Sequence, residues 1–244
     1  MYQQDSICIP AWKQEKFLRE VSRNWNDFYK RNTVNAYKDR HWLLIDFPQL
    51  ANCSSILEVG CGVGNLLFPL LEKLPHLYIY ACDFSPRAID FVCRDERYDT
   101  SRCKAFVQDA TRPFDTSIGT IPEESLDGMT LLFCLSAVPP EKHADVVENT
   151  SLCLKKGALV FVRDYGLYDA AQLNFKPGSK MWDRFYVRQD GTFAYYFDLD
   201  TLKSLFPEER YQCLSLEYVT RVVENRRTSK AFHRVFVQGT FRKL

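Results

Sequence analysis

The feature that most constrains this chain is a regular alternation of strand-like and helix-like segments between residues 54 and 162. Five short apolar runs are typical of strands, at 54–59, 77–82, 104–107, 129–135 and 158–162. Segments with helical spacing lie between them, at 63–74, 86–94 and 140–154. Strands that are joined by helices through short loops form a mostly parallel sheet that is covered on both faces. The sequence therefore predicts an α/β fold.

The two ends of the chain depart from this alternation. Apolar residues recur every three or four positions near the N-terminus, at Leu18, Val21, Trp25 and Phe28. This spacing predicts a helix, so residues 1–50 are interpreted as a helical extension and residues 51–244 as the main domain. An insertion rich in aromatic and polar residues is expected at about 166–197. Two long β-rich runs, 213–223 and 232–241, then close the chain and predict an antiparallel edge of the sheet.

A glycine-rich segment, Glu58-Val59-Gly60-Cys61-Gly62-Val63-Gly64, follows the first predicted strand. Glycines allow a tight turn and a close approach to a ligand, and the next helix begins with free N–H groups. A dinucleotide fingerprint reads G-x-G-x-x-G, but here the third glycine comes one residue early and Asn65 takes its place. The pattern E-x-G-x-G-x-G resembles motif I of class I S-adenosylmethionine-dependent methyltransferases. The resemblance implies a Rossmann-like fold with a mostly parallel seven-stranded sheet.

Two further acids lie at the ends of neighbouring predicted strands. Asp83 ends the second strand, where a carboxylate can accept both hydroxyls of a ribose. Asp109 follows the third strand, and the resemblance implies that it meets the adenine amino group while the N–H of Ala110 meets the ring. Either acid could instead cap a helix or a turn. The register of these acids with the glycine segment favours a cofactor site.

The substrate is less constrained by local motifs. Many class I enzymes that act on exocyclic amines carry Asn/Asp-Pro-Pro-Tyr/Phe after the fourth strand, whereas residues 135–140 read Leu-Ser-Ala-Val-Pro-Pro. Residues 13–42 hold eight Lys/Arg and four Asp/Glu, and residues 221–244 hold seven Lys/Arg and one Glu. Two basic ends are compatible with a polyanionic partner or with ordinary solvated faces. Both interpretations stay open on charge alone.

Several longer segments resemble the eukaryotic methyltransferase-like family that forms N3-methylcytidine in tRNA, in particular its short cytosolic members that act on tRNA-Ser. Two of these segments are N-terminal, at 24–32 and 38–42, and others lie in the cofactor core. Two more, at 163–169 and 185–192, lie beyond the core that all class I methyltransferases share, so they are the more specific ones. The resemblance runs from about Asn24 to the C-terminus.

This resemblance implies methyl transfer to N3 of the cytidine at the start of the tRNA anticodon loop, with S-adenosylmethionine as the cofactor. The N-terminal helix would fold over the cofactor. The residues expected to bind it are Trp25, Tyr29, Glu58, Gly60, Gly62, Asp83, Phe84, Ser85, Asp109, Ala110 and Leu132. Some members of the family act together with seryl-tRNA synthetase, so tRNA-Ser and this synthetase are the expected partners. No metal is expected.

The chemistry of the reaction suggests further roles. N3 of cytosine has a free lone pair and needs no general base, so the protein must supply alignment and electrostatics. Asp164 or Asp190 is a candidate to stabilise the cationic product. Alternatively, Asp164 is a buried partner of an arginine and Asp190 belongs to a plain turn. Residues expected to hold the phosphate or O2 of the target, or to stack on its base, are Arg163, Arg188, Tyr165 and Tyr168.

Cysteine usage and the first residues bear on location. The nine cysteines are odd in number and form no Cys-x-x-Cys pair, which indicates free thiols in a reducing compartment. The first ten residues resemble neither a secretory signal nor a mitochondrial presequence. We expect a cytoplasmic protein that does not span a membrane; a nuclear pool is compatible with the same features. A methyltransferase acting on a small molecule or protein, and a scaffold without activity, are the alternatives.

Overall fold

The computed structural model describes residues 7–35, 37–114, 121–225 and 230–244. Its main sheet has seven strands in the order β3-β2-β1-β4-β5-β10-β9. They are β1 (Ser55–Val59), β2 (Tyr78–Asp83), β3 (Cys103–Val107), β4 (Leu126–Leu132), β5 (Leu154–Tyr165), β9 (Tyr211–Asn225) and β10 (Lys230–Lys243). The first five strands are parallel, and β10 pairs antiparallel with both β5 and β9. The predicted mostly parallel sheet with an antiparallel edge is confirmed.

Helices cover the parallel part of this sheet, as the alternation predicts. They are α4 (Leu67–Lys73), α5 (Pro86–Arg94) and α6 (His143–Ser151). The start of α5 shows why the local sequence folds this way. The hydroxyl of Ser85 accepts the N–H of Ala88 at 3.3 Å, and Pro86 occupies the first turn, where its missing N–H costs nothing. Ser85 therefore caps this helix.

Several boundaries differ from the predicted ones, and two of these differences have a clear cause in the backbone. The fourth strand was expected at 129–135 but ends at Leu132, because Phe133 adopts a left-handed φ of 57° and residues 135–137 form a 3-10 turn. The first core helix was expected from residue 63, but α4 begins only at Leu67, since the left-handed Gly64 (φ 89°) cannot belong to a right-handed helix. Apolar periodicity cannot reveal either backbone change.

The N-terminal extension and the insertion form a common substructure beside the sheet. The extension contains α1 (Ala11–Arg19), α2 (Val21–Asn32) and α3 (Leu43–Asp46). The insertion contains α7 (Ala170–Leu173) and a three-stranded sheet of β6 (Lys180–Trp182), β7 (Phe185–Val187) and β8 (Phe193–Tyr195), and α8 (Leu199–Ser204) follows it. The N–H of Ile9 donates to the carbonyl of Lys180 at 2.8 Å, and the Gln14 amide donates to the carbonyl of Met181 at 2.9 Å.

All nine cysteines are free. Within the described ranges, no helix combines the length and apolarity needed to cross a bilayer, and no cluster of three or more His, Cys, Asp or Glu is suited to a metal ion. Of the basic C-terminal segment, Arg226 and Arg227 lie outside the described residues.

Candidate active site

The glycine-rich segment forms a tight loop at the carboxyl end of β1. Gly60 and Gly62 have φ values of 71° and 54°, a region that residues with a Cβ enter only at a cost. The Asp83 carboxylate fixes this loop from the end of β2. Its Oδ2 accepts the N–H of Gly62 and its Oδ1 accepts the N–H of Ser85, each at 2.9 Å. Burial raises the pKa of Asp83 to about 6, and these two backbone hydrogen bonds oppose that shift.

An open cavity of about 910 Å³ lies between α2 and the carboxyl ends of the central strands. This volume includes the open solvent at the mouth of the cavity. Seven residues that the sequence predicted to bind a cofactor line it: Trp25, Tyr29, Gly60, Asp83, Phe84, Asp109 and Ala110. The structure therefore brings together residues from four separate segments of the chain.

Helix α2 forms the roof of this cavity. Trp25 and Tyr29 lie four residues apart on one face of the helix and are 7% and 4% exposed. The contact with the loop is close, because a Cβ at Gly62 would lie 2.9 Å from the Tyr29 hydroxyl. Asn26 fixes the helix further, since its Oδ1 accepts the hydroxyl of Ser85 at 2.6 Å. The N-terminal helix thus covers the loop, as the family resemblance implies.

Two buried polar atoms at this site have no hydrogen-bond partner among the described residues, the indole Nε1 of Trp25 and Oε2 of Glu58. Burial raises the pKa of Glu58 to about 8, and the nearby guanidinium of Arg40 opposes this shift. An unpaired buried polar group costs about 1–3 kcal/mol, and Trp25 lies in the cavity wall, so a ligand with an acceptor there would relieve this cost. S-adenosylmethionine, which has a base, a ribose and an amino-acid end, fits this set of donors and acceptors.

Asp109 lies at another part of the cavity wall. Its Oδ1 accepts the N–H and the hydroxyl of Thr111 at 3.0 and 2.7 Å. Its Oδ2 lies 3.6 Å from Nε of the exposed Arg112. A carboxylate oxygen has two lone-pair sites, so Oδ2 retains acceptor capacity. Asp109 therefore caps a turn, as the alternative interpretation predicts, and it also lines the cavity.

A second cavity of about 510 Å³ adjoins the first, with Trp25, Tyr29 and Gly60 common to both walls. Its polar lining comes largely from outside the cofactor core, namely from Tyr37, Arg40, Tyr165 and Arg188. Two predicted cofactor residues, Gly62 and Leu132, also line it. The other two, Glu58 and Ser85, are not among the described residues that line either cavity; Ser85 acts on the site through the loop and α2.

Asn65 positions the segment that carries Tyr37 and Arg40. Its side-chain amide donates to the carbonyl of Tyr37 at 3.1 Å and to Oδ1 of Asp39 at 3.0 Å. Its own carbonyl accepts the N–H of Arg40 at 2.8 Å. The residue that stands where a dinucleotide fingerprint has its third glycine therefore anchors the N-terminal extension to the loop.

The two arginines of the second cavity differ from the others nearby. Arg163 and Arg234 pair with carboxylates, whereas no carboxylate of the described chain lies within ion-pair distance of Arg40 or Arg188. Arg188 donates instead to the carbonyl of Phe193. Burial lowers the pKa of Arg40, and the carboxylate of Glu58 opposes this shift. Two guanidiniums without a neutralising acid suit a phosphate or a carbonyl acceptor.

Of the six residues predicted to act on the substrate, the structure brings Tyr165 and Arg188 to the second cavity. Asp164 is fully buried and is not among the described residues of the cavity walls. It accepts the N–H of Ser136, which lines the cavity, and the N–H of Tyr165, each at 2.9 Å. Burial raises the pKa of Asp164 to about 6. This carboxylate therefore does not line the cavity, but its hydrogen bonds fix the backbone of two residues that do.

The three remaining candidates lie elsewhere. Arg163 forms a buried ion pair with Asp46. Asp190 accepts the N–H and the hydroxyl of Thr192 at 3.0 and 2.7 Å, as expected for a plain turn. Tyr168 is 67% exposed. None of the three belongs to the described lining of either cavity. Their positions therefore do not support the prediction that they contact a substrate.

Sequence reasoning assigned neither Tyr37 nor Arg40 a role in binding the cofactor or the substrate. The guanidinium of Arg40 lies 4.7 Å from the ring centre of Phe133. One signal was available, since Arg40 stands within the family-like segment 38–42.

Comparison with known proteins identifies the family. A family model described as a methyltransferase domain matches residues 57–160. The tRNA N(3)-cytidine methyltransferase METTL6 of Mus musculus is 47% identical over 246 residues, which cover 98% of this chain and 86% of the relative. The chain belongs to the tRNA N(3)-cytidine methyltransferase family. A tRNA N(3)-methylcytidine methyltransferase of Schizosaccharomyces pombe, trm141, is 39% identical over 94% of this chain and 95% of its own length.

Solved structures place the fold of this tRNA N(3)-cytidine methyltransferase family member among S-adenosylmethionine-dependent methyltransferases. One from Anabaena variabilis has a TM-score of 0.69 at 12% identity and covers 92% of this chain and 95% of its own. The 1,6-didemethyltoxoflavin-N1-methyltransferase of Burkholderia thailandensis, which holds S-adenosylhomocysteine, has a TM-score of 0.60 at 13% identity and covers 98% and 92%. The predicted class I fold is confirmed.

Proposed function

We propose that this protein transfers the methyl group of S-adenosylmethionine to N3 of a cytidine in tRNA. The observation that carries the proposal is the pair of adjoining cavities under α2, one lined by the cofactor motif and the other by Arg40 and Arg188. The names of the relatives that span nearly the whole chain support the same activity.

Methyl transfer to N3 of cytosine requires no base to remove a proton from the attacking nitrogen. N3 of cytosine attacks through its own lone pair, so the protein has to align the base and balance charge. Bound S-adenosylmethionine supplies an electrophilic methyl group on a sulfonium, whose positive charge passes to the product base. The lining of the second cavity agrees with a site that lacks a general base: its cations cannot accept a proton, and burial raises the pKa of Tyr37 to about 12.

Individual residues then have distinct tasks in this proposal. Asp83 receives the ribose, while Asp109 and Ala110 receive the adenine. Arg188, whose guanidinium lies 5.6 Å from the ring centre of Tyr165, holds O2 or the phosphate of the target nucleotide. Tyr165 stacks on the base, as aromatic side chains do with unpaired bases.

Two guanidiniums beside a cationic product would disfavour the reaction if they faced N3. Pairing them with O2, which carries a partial negative charge, and with the phosphate anion avoids this penalty. The buried acids Asp83 and Asp164 lie around the same cavities and counter the remaining positive potential. Because the reaction moves one positive charge from sulfur to the base without changing the total, a fixed set of charges serves both reactants and products.

The finer proposal concerns the RNA. N3 lies on the Watson–Crick edge, so the cytidine must be unpaired or flipped out, and a loop nucleotide lowers that cost. We propose the anticodon arm of tRNA-Ser as the substrate and seryl-tRNA synthetase as a partner, both on the family resemblance. The basic segments at 13–42 and 221–244 support a contact with the RNA backbone. Cytoplasmic location stays a prediction.

The test is nucleoside mass spectrometry of tRNA incubated with purified protein and S-adenosylmethionine. Wild-type protein should form N3-methylcytidine, and Asp83→Ala should form none because its cofactor loop is not fixed. Arg188→Lys is the matched variant for the second cavity, because it keeps the charge and loses the planar fork. It should still bind S-adenosylhomocysteine and should methylate poorly.

Unmodified tRNA, together with normal cofactor binding, would reject the proposal and direct the search to small molecules and proteins. Salt provides an independent check, since transfer to RNA should weaken steeply as salt rises, whereas transfer to a neutral small molecule should not. A comparison of tRNA-Ser with another tRNA, each with and without seryl-tRNA synthetase, tests the finer proposal.

A further inference from the structure

Helix α2 is hydrogen-bonded to both halves of the site through two asparagines that lie two residues apart. Asn26 accepts the hydroxyl of Ser85 at 2.6 Å, directly after the end of β2 where Asp83 binds the glycine loop. Asn24 donates its side-chain N–H to the carbonyl of Gly191 at 3.0 Å. The first bond joins α2 to the cofactor loop, and the second joins it to the insertion.

The Gly191 carbonyl belongs to the tight turn 188–192 that carries Arg188. The N–H of Arg188 donates to the carbonyl of Thr192 at 2.7 Å, and the N–H of Gly191 donates to the carbonyl of Arg188 at 3.0 Å. Asp190 closes the turn by accepting from Thr192. Because these bonds connect every part of the turn, a movement of Gly191 displaces the backbone of Arg188.

Asn24 and Gly191 approach each other more closely than side chains would ordinarily allow. Gly191 has a φ of 83°, and a Cβ built there would lie 2.7 Å from Nδ2 of Asn24. Any other residue would therefore have to displace Asn24. Both Trp25 and Tyr29 line the two cavities from the same helix. A shift of α2 thus changes the cofactor roof and the position of Arg188 together.

We infer that Asn24 is a positioning residue that couples the binding of tRNA at the Arg188 turn to the binding of cofactor beneath α2. The inference rests on the proposed function, since it takes Arg188 to contact the RNA. RNA that holds the turn in place also holds Asn24, and through it the roof. Binding couplings are reciprocal, so cofactor must raise the affinity for tRNA by the same factor by which tRNA raises the affinity for cofactor.

The expected size of the coupling follows from the strength of the hydrogen bond between Asn24 and Gly191. One hydrogen bond between neutral groups contributes roughly fivefold to an equilibrium constant. Bound tRNA should therefore tighten the binding of S-adenosylhomocysteine by about fivefold in the wild type. Without the Asn24 bond, the ratio of the two affinities should fall to about one, whatever happens to their absolute values.

Two isosteric substitutions on α2 separate this role from a general effect on the helix. Asn24→Asp keeps the size but removes the donor to the Gly191 carbonyl. Asn26→Asp keeps an acceptor for the Ser85 hydroxyl and adds the same negative charge two residues away, so it serves as the charge-matched control. Asn24→Ala removes the bond without adding charge and covers the case in which a carboxylate at position 24 disturbs folding.

The experiment is calorimetry of S-adenosylhomocysteine with each variant, in the absence and presence of a saturating tRNA preparation that mass spectrometry shows to be methylated by the wild type. We expect the tRNA-dependent gain in wild type and Asn26→Asp, and its loss in Asn24→Asp and Asn24→Ala. Equal affinities with and without tRNA in the wild type, or an unchanged gain in both Asn24 variants, would overturn the coupling alone. If no tRNA preparation is methylated, the proposed function fails and the coupling fails with it.

Discussion

Gly62 lies against the hydroxyl of Tyr29, a residue of α2. A substitution at Gly62 therefore has two separate costs. A Cβ at Gly62 would lie 2.9 Å from the hydroxyl oxygen, while the next atoms, two carbons of the same ring, would be 3.7 Å away. Gly62→Ala therefore creates a clash with one atom. It also places an alanine at a φ of 54°, which costs about 1 kcal/mol.

These two costs should appear in different measurements. The left-handed φ exists whether or not α2 is closed, so it should lower the free energy of unfolding by about 1 kcal/mol. In the variant, lifting α2 off the loop relieves the clash, so this second cost should appear as weaker binding of S-adenosylhomocysteine, which needs α2 as its roof. Overpacking of this kind costs about 2 kcal/mol, which corresponds to roughly thirtyfold in affinity. Denaturant unfolding and calorimetry give the two quantities.

Tyr29→Phe supplies the control, because it removes the clashing oxygen and leaves the ring. In the Tyr29→Phe background, Gly62→Ala should no longer weaken S-adenosylhomocysteine binding, while its effect on unfolding should persist. The double-mutant cycle should thus give a coupling of about 2 kcal/mol for binding. Effects on binding that add to within about 0.5 kcal/mol would refute the reasoning, since they would show that the two groups do not meet in the closed state.

Three other substitutions give equally direct outcomes. Asp46→Ala should lower the free energy of unfolding by about 3–5 kcal/mol, because it leaves the buried Arg163 unpaired, and adding Arg163→Met should restore most of it in urea unfolding. Asp83→Asn should weaken S-adenosylhomocysteine binding by roughly thirtyfold in calorimetry, since an amide oxygen can replace only one of two acceptors; unaltered affinity would contradict this. Burial lowers the pKa of His143 from 6.5 to about 4, so the unfolded chain takes up the proton first as the pH falls. As the pH falls between these values, the free energy of unfolding of the wild type should therefore drop by up to ~3 kcal/mol relative to that of His143→Gln. Equal changes in the two proteins, measured by urea unfolding, would contradict this.

Much of the core could be predicted because its signals are local. The first three parallel strands are short, largely apolar runs that end at a glycine, an aspartate or a glutamine, and the acids at or just after these ends meet at one edge of the sheet. Asp83 and Asp109 line the same cavity for this reason. Ser85 followed by Pro86 identifies a helix start without any tertiary information.

The substrate side depended on contacts that no local pattern contains. Arg163 and Asp164 are consecutive on β5, so their side chains point to opposite faces, and a fully buried strand does not reveal which face meets the cavity. In the structure, neither side chain reaches it directly. Arg40 reaches the second cavity because Asn65 holds its segment there, a pairing of residues far apart in sequence that composition and spacing cannot indicate.

The hydrogen bonds between the N-terminal extension and the insertion also affect how the protein folds during its synthesis. Gln14 to Met181 and Asn24 to Gly191 each span 167 positions, and contacts of such high sequence separation form late because a long loop must close first. During synthesis from the N-terminus, α2 can meet the glycine loop and Ser85 early, but its partner in the insertion is made only after most of the chain. The nascent protein therefore lacks the Asn24 bond and the turn that carries Arg188 until the insertion has left the ribosome. A chain stopped before residue 191 would carry the whole glycine loop and still lack a closed site.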